Sequence, residues 1–399
     1  MQTSGANAAA SSLSLASLKT EDGLRVEVFS SLDAIDRERW DELAGPSAVV
    51  RSYDYLRAIA GAGINDCVYF YPVVFDADGR FLAHCCVYTI TTDLLQILPA
   101  ALQPAARALR RLWPRFLQVK ITECASPHVI GHSFSLRAGL EPAPLLLALE
   151  SAIDRIAALA GSPLLVVRDF RNDELPAVAA LLARGYHRVS NQPQARIHLR
   201  WKNYEHYLAS MRSRYRKDLG RRLRRAAAQA QTVSLETSFA HRADTCAEQV
   251  LLSYERSQGI KREMLGPAYF RQLDEQLGER SGLLVVAQGE RMVGHGVVLF
   301  DDTQLVATYS GRAAGPPDDI WFQLLDAAVR LGLERGLKYL NLGLGSYEAK
   351  SLMGAEVEAL SCLTRSRYAL LNWLMRRVPH AMEPEIPHLH HIFHAAEGE

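Results

Sequence analysis

Apolar and polar positions divide the chain into two successive sets of strands and helices. In the first set, residues 25–29 alternate with the two-residue period of a strand. Residues 32–43 repeat Ile35, Trp40 and Leu43 at helical spacing. Residues 53–60 predict a second short helix. Residues 68–76 and 81–89 predict a hairpin around the turn at 76–79. A strand over 119–123, a helix over 145–159, a strand over 164–169, a helix over 175–184 stopped by Gly185 and a strand over 196–200 complete the set.

The second set opens with one continuous helix predicted over 203–230. A strand over 232–237 and helices over 243–258 and 269–277 follow. A meander over 283–288, 292–301 and 304–309 comes next, then a helix over 320–335 stopped by Gly336 and a strand over 339–344. Both sets share this plan without any repeat in the sequence itself. The expectation is an α/β (α+β) protein of two lobes with mixed central sheets and a long basic helix between them. The predicted organisation is a flexible N-terminus over 1–22, a first lobe over 23–201, a second over 202–378 and a polar tail over 379–399.

The 399 residues suffice for two or three cores, and 48% apolar with 22% charged content excludes a collagen-like, coiled-coil or wholly disordered chain. A net charge of +1 excludes a global field for nucleic acid, so any such binding is local. The six cysteines form no CxxC pair, which predicts reduced thiols and a cytoplasmic setting. The Ala/Ser-rich start lacks a basic region followed by an apolar one, which predicts no secretory signal. No run reaches the 18 or so apolar residues of a spanning helix.

Two segments bear on location. Residues 94–120 combine Leu109, Leu112, Trp113 and Phe116 with Arg107, Arg110, Arg111, Arg115 and Lys120, and contain no acid. Pro99, Pro104 and Pro114 divide this stretch into short pieces. Residues 368–377 repeat the pattern with Leu370, Leu371, Trp373, Arg376 and Arg377. Apolar faces edged with arginine suit an interfacial helix on an anionic membrane, here the inner one; helices that pack the lobes together are the alternative.

Three motifs carry a resemblance. They are residues 204–226 (YEHYLASMRSRYRKDLGRRLRRA), the hairpin at 289–296 (GERMVGHG) and residues 336–356 (GLKYLNLGLGSYEAKSLMGAE). In order and spacing they resemble the Fem-like/BioF2-like N-acyltransferase family of the GNAT superfamily, to which bacterial ceramide synthases look related. The resemblance implies tandem GNAT lobes and transfer of an acyl group to an amine. The donor it implies is a co-substrate, acyl-CoA or acyl carrier protein, with no bound cofactor and no metal. An aminoacyl-tRNA donor is the alternative, and a non-catalytic binder of anionic lipid or nucleic acid is a further one. The implied acceptor is a small-molecule or lipid amine, such as a sphingoid base.

Between Arg212 and Arg225 the chain places eight basic residues and one acid, Asp218. Arg212 and Arg216 flank the apolar stripe of that helix and are candidates for a phosphate, as is Arg312 in the loop ahead of residue 320. Asp318 or Asp319 would cap the helix that follows. Lys350 matches the position of the conserved Fem lysine, so the resemblance implies that it stabilises charge on the transferred acyl group; Tyr347 lies beside it. His295, between Gly294 and Gly296, is a candidate base with an ordinary pKa near 6.5, and Tyr309 a candidate proton donor. Glu123, followed by His128 and His132, offers a second carboxylate–imidazole set for acceptor binding or base catalysis. Each of these also has a plain structural reading as a packed or surface residue.

Overall fold

A single mixed sheet of fifteen strands runs through both halves of the chain, in a computed structural model that describes residues 15–19, 23–98, 101–256, 262–315, 319–375 and 389–394. The first half supplies β1 (Leu15–Lys19), β2 (Arg25–Phe29), α1 (Arg37–Ala44), α2 (Tyr53–Gly61), β3 (Val68–Phe75), β4 (Phe81–His84) and β5 (Val87–Asp93). It continues with α3 (Gln103–Leu112), β6 (Gln118–Cys124), β7 (Ser135–Leu136), α4 (Pro142–Ala160), β8 (Leu164–Arg171), α5 (Ala180–Ala183) and β9 (His187–His198). The second half supplies α6 (Tyr204–Ser210), α7 (Ser213–Ala228), β10 (Gln231–Glu236), α8 (Ala243–Arg256), α9 (Pro267–Leu277) and β11 (Ser281–Gln288). Then come β12 (Arg291–Phe300), β13 (Gln304–Arg312), α10 (Ile320–Glu334), β14 (Tyr339–Asn341), α11 (Tyr347–Ser351), β15 (Glu356–Ser366) and α12 (Ala369–Met375).

The main strand order is β1-β2-β3-β5-β6-β8-β15-β9-β14-β13-β12-β11-β10, with β4 and β7 paired to one side. β15 lies between β8 and β9, pairing Leu360 with Arg171 on one edge and Glu356 with Arg196 on the other. β9 in turn pairs with β14, His198 opposite Tyr339. The two halves therefore exchange neighbours in the middle of the sheet. One apolar core joins α1 and α2 of the first half to α8 and α9 of the second; a second surrounds α4, and a third lies beneath α6, α7 and α10.

Four departures from the sequence reading have physical causes. The helix expected over 203–230 is broken at Met211 and Arg212, which are extended. The segment 389–394 docks there: Met211 bridges Phe393, the Arg212 N–H donates to Ile392 O at 2.8 Å, and Ile392 is buried. Tertiary contact thus overrides a helical pattern, and that part of the expected tail is packed. Residues 15–19 of the expected flexible lead-in form β1 against β2. Residues 1–14, 20–22, 376–388, 395–399 and Asp318 lie outside the described residues. The strand expected to return from the first hairpin is split, with Cys85 and Cys86 between β4 and β5. β9 begins nine residues before the strand expected at 196. It contains Pro193, which sits where the β9–β15 register shifts between the Asn191 and Gln194 pairings, a place where a missing N–H is tolerated.

Among the described residues no helix is long and apolar enough to cross a membrane.

Candidate functional site

β13 and β14 run parallel, but they pair over only three residues, from Gln304–Tyr339 to Val306–Asn341. Beyond Asn341 the chain leaves β13: the Leu342 N–H donates to Ala195 O, and Ala195 N–H donates to Gly343 O, both at 2.9 Å. A seam opens where β13 continues alone. At the same level the β12–β13 ladder shifts, because Gly296 faces Ser310 while Val298 faces Ala307. Thr308 and Tyr309 thus oppose the single residue Val297, a bulge that takes peptide groups off the ladder and re-aims side chains. A narrow cavity of about 30 Å³ occupies the seam, walled by Gly296, Tyr309 and Leu342 and by Trp321, Leu324 and Ala328 of α10.

A buried polar cluster lies at the junction of the lobes. Glu123 at the end of β6 accepts from the Tyr88 hydroxyl at 2.6 Å, lies 2.9 Å from Arg168 Nε, and is bound by Arg262 from the segment before α9. Arg168 also donates to the Tyr88 oxygen at 2.7 Å. Burial alone would raise the Glu123 carboxyl, but the two guanidinium groups and the tyrosine outweigh it and hold the pKa at about 2. Beside this group, His128 Nε2 lies 2.8 Å from the Tyr69 hydroxyl, and His128 Nδ1 lies 3.9 Å from Glu263 Oε1. His128 has a left-handed backbone (φ 59°), which turns its ring into the junction. Burial pushes Glu263 upward, but the His128 ring and Arg262 prevail and bring its pKa below the usual carboxylate value.

Tyr309 joins the two features. It lines the seam, packs edge-on against Tyr269 with ring centroids 5.7 Å apart, and has its pKa raised by burial and then by the negative charge of Glu263. Its hydroxyl therefore keeps its proton.

Of the residues singled out in the sequence, Glu123, His128 and Tyr309 come together here. His295 does not. Alternation along β12 puts Gly296 on the seam and turns His295 to the other face, where its Nδ1 lies 2.9 Å from Gln249 Oε1 and burial lowers its pKa to about 3. Lys350 is 3% exposed and donates from Nζ to Leu344 O at 2.7 Å; burial lowers its pKa to about 7. It is not on the wall of the seam. The Tyr347 hydroxyl donates to Pro193 O at 2.7 Å, fastening α11 to β9. Arg212 donates to Phe393 O at 3.1 Å and Arg216 to Met211 O at 3.1 Å, so both serve the break between α6 and α7. Arg312 ends β13, its backbone N–H donating to Ser253 Oγ at 3.3 Å.

Tyr69, Arg168, Arg262 and Glu263 went unnoticed in the sequence. Each is an ordinary residue in its own segment and gains meaning only when distant strands bring the set together. Asp319, expected as a cap, makes no capping bond; it pairs with Arg225 at 2.6 Å and Arg222 at 3.1 Å across to α7. The outer face of α7 borders an open groove of about 890 Å³ lined by Arg214, Lys217, Arg221 and Arg224 and by two acids, Asp218 and Glu348. Among the described residues no group of three or more His, Cys, Asp or Glu side chains is placed to hold a metal ion.

No family model matches the chain. A stretch of 118 residues, 29% of the chain, is 30% identical to a protein of two Mycobacterium tuberculosis strains provisionally named 8-amino-7-oxononanoate synthase 2. The match spans 15% of the length of those relatives. Solved structures resemble nearly the whole chain. FemX superposes with a TM-score of 0.53 at 12% identity over 88% of this chain and 99% of its own. The C-terminal domain of a provisionally named lysylphosphatidylglycerol synthetase from Agrobacterium fabrum gives 0.52 at 14% identity over 86% and 96%. A tandem GNAT protein from the clavulanic acid biosynthesis pathway gives 0.51 at 12% identity over 86% and 98%. Bulged strand, open seam and exchanged central strands accompany a whole-chain likeness to these three, and the chain has the tandem GNAT fold.

Proposed function

We propose that the protein is an N-acyltransferase that moves an acyl group from a thioester, acyl-CoA or acyl carrier protein, to the amine of a lipid or sphingoid-type acceptor. The observation that carries this reading is Tyr309, shared by an apolar seam on one side and a buried base cluster on the other. In this reading the thioester carbonyl lies at the bulge of β13, where freed peptide N–H groups stabilise the tetrahedral oxyanion. The acceptor approaches from the lobe junction. Its nitrogen attacks the carbonyl carbon, the carbon–sulfur bond breaks, and the amine's proton passes to His128 and then to the departing thiolate. With the His128 proton assigned to Nδ1, facing Glu263, Nε2 is the accepting nitrogen, which the acceptor amine takes over from the Tyr69 hydroxyl, and Glu263 stabilises the imidazolium that forms. Tyr309 donates a hydrogen bond to the sulfur without losing its proton.

Glu123 takes a different part from the one expected of it. A general base works best with a pKa near the working pH, whereas this carboxylate is held near 2 with both oxygens engaged. It anchors Arg168 and Arg262 and so positions Glu263. Lys350 is assigned a supporting part: it holds Leu344 O, and with it the turn beside Leu342 on the seam wall.

The test is to incubate the purified protein with a series of acyl-CoA donors and amines, sphingoid bases included, and to follow amide and free thiol by mass spectrometry. One thiol released per amide formed is the expected result. A folded protein that yields no amide with any thioester would overturn the thioester reading. The α7 groove favours one second reading, an aminoacyl-tRNA donor: Asp218 pairs with Arg221, and four cations against two acids line the groove, with no ion pair to Arg214, Lys217 or Arg224 among the described residues. Activity that requires tRNA and is abolished by ribonuclease would select it.

A further inference from the structure

Fifteen large apolar side chains are exposed among the described residues, and ten of them lie at one end of the sheet. The topology brings them there. β5 ends at Asp93 opposite Gln118, where β6 begins. β6 runs parallel to β8 with Ile121 beside Leu164, and Ser366 near the end of β15 also lies beside Leu164. Thr364 faces His187, the first residue of β9. The connections that enter or leave these strand ends therefore share one surface.

α3 joins β5 to β6 and exposes Leu102, Leu109, Leu112 and Trp113, Leu112 to 86%. α12 follows β15, and this region exposes Tyr368, Leu370, Leu371 and Trp373. Leu159 at the end of α4 and Leu182 in α5 add to the same end. Only β8 separates β6 from β15, so α3 and α12 spring from strands about 10 Å apart. Arg110 fastens α3 in place, donating to Asp93 Oδ2 at 2.8 Å and to Phe116 O at 2.8 Å. The exposed apolar side chains are thus held outward on a fixed element.

The charge along the α3 and α12 segments has one sign, and the acids nearby, Asp93 and Asp154, are paired with Arg110 and Arg365. Arg107, Arg111, Arg115, Lys120 and Arg367 are exposed. No acid occurs from residue 94 to 120, nor between Glu358 and Glu383. Large apolar side chains exposed together at one end of a sheet mark an interaction site. Its aromatic residues, on stretches that carry arginine and lysine and no acid, match the headgroup region of an anionic bilayer.

We infer that the α3–α12 end of the sheet is a docking face for an anionic phospholipid bilayer. The face adjoins the base cluster: Arg262, which binds Glu123, also donates from Nε to Thr92 Oγ1 at 3.3 Å, one residue from the Asp93 that anchors α3. Four residues of β5, about 13 Å, separate Thr92 from Tyr88. This rests on the lipid-acceptor reading above only for its purpose. The surface itself is tested without acyl donor, so its failure would leave acyl transfer standing.

The experiment is flotation of the full chain with phosphatidylcholine vesicles, with and without phosphatidylglycerol. Binding to the phosphatidylglycerol vesicles is expected to be about tenfold stronger, and to weaken as salt is raised. R107E/R111E lowers that partition about tenfold, and W113E/L370E removes it, both with unchanged thermal unfolding. No flotation with anionic vesicles overturns the inference, as does full binding by W113E/L370E. Sedimentation velocity on the same proteins covers the rival occupant: a dimer that W113E/L370E converts to monomer, without loss of vesicle binding, assigns the face to a second copy.

Discussion

The Tyr69 hydroxyl and the His128 Nε2 lie 2.8 Å apart, one on β3 and the other in the loop after β6, and Glu263 of the second half faces the other ring nitrogen. Three segments distant in sequence thus align a hydroxyl, an imidazole and a carboxylate. Removing the carboxylate charge with E263Q should lower kcat by about 10²–10⁴, the usual range for general-base catalysis. Y69F should retain more activity than H128N. Steady-state kinetics with an amine acceptor checks the order; an E263Q enzyme near wild-type rate would remove the cluster from the chemistry.

Glu123 predicts an acid-sensitive junction. Its folded pKa of about 2 lies below the ordinary value of 4.5, so it stabilises the fold above pH 4.5 and loses that contribution as pH falls toward 2. The difference corresponds to roughly 3 kcal/mol. E123Q should remove this slope. It should also destabilise at neutral pH by about 3–5 kcal/mol, because Arg168 and Arg262 are left without their shared carboxylate. Denaturant unfolding at pH 3.5 and pH 7 separates the two effects.

Lys350 has the opposite pH signature. Its pKa falls from 10.5 to about 7 on folding. The unfolded chain binds the proton more tightly, so this group opposes folding fully below pH 7, and the opposition fades as pH rises toward 10.5. Wild-type stability should gain about 2–3 kcal/mol from this one side chain between pH 6 and pH 9. K350M should lose that slope and melt higher than wild type at pH 6. If K350M also abolishes turnover without a change in donor KM, Lys350 acts on the reacting group and not only on the Leu344 turn.

Gly311 lies against the α8 backbone. A Cβ there would come within 2.7 Å of Val250 N and of the His295 ring. G311A should therefore destabilise by about 1–3 kcal/mol, as overpacked cores do. H295A in the same protein should relieve part of that loss. A G311A variant as stable as wild type would show that α8 can yield at this point.

Much of the architecture was readable because it is local. The meander of β11, β12 and β13 and the helices α4 and α10 follow from alternation, helical spacing and stop residues. What escaped is non-local. Nothing in residues 203–230 marks a break at Met211; the docking of Ile392 and Phe393 makes it. Glu123, His128 and Tyr309 could be singled out as chemical residue types in or after strands. Glu263 could not, because an Arg-Glu pair between two helices looks like solvated surface until Arg262 reaches Glu123. His295 shows the converse. Of its flanking glycines, Gly294 makes room for Ile320 of α10 and Gly296 faces Leu324 of α10, while Gly311, opposite on β13, makes room for the α8 backbone; none opens space for a ligand at the imidazole.

The position of β15 between β8 and β9 reaches beyond catalysis. Until residues 356–366 have been synthesised, a nascent chain carries β8 and β9 as two bare edges with no one to bridge them. Such edges recruit any strand they meet. Maturation of the amino-terminal lobe thus waits on a keystone made long after it, and shortening the chain ahead of residue 356 should yield an aggregating fragment where a free-standing half might be sought.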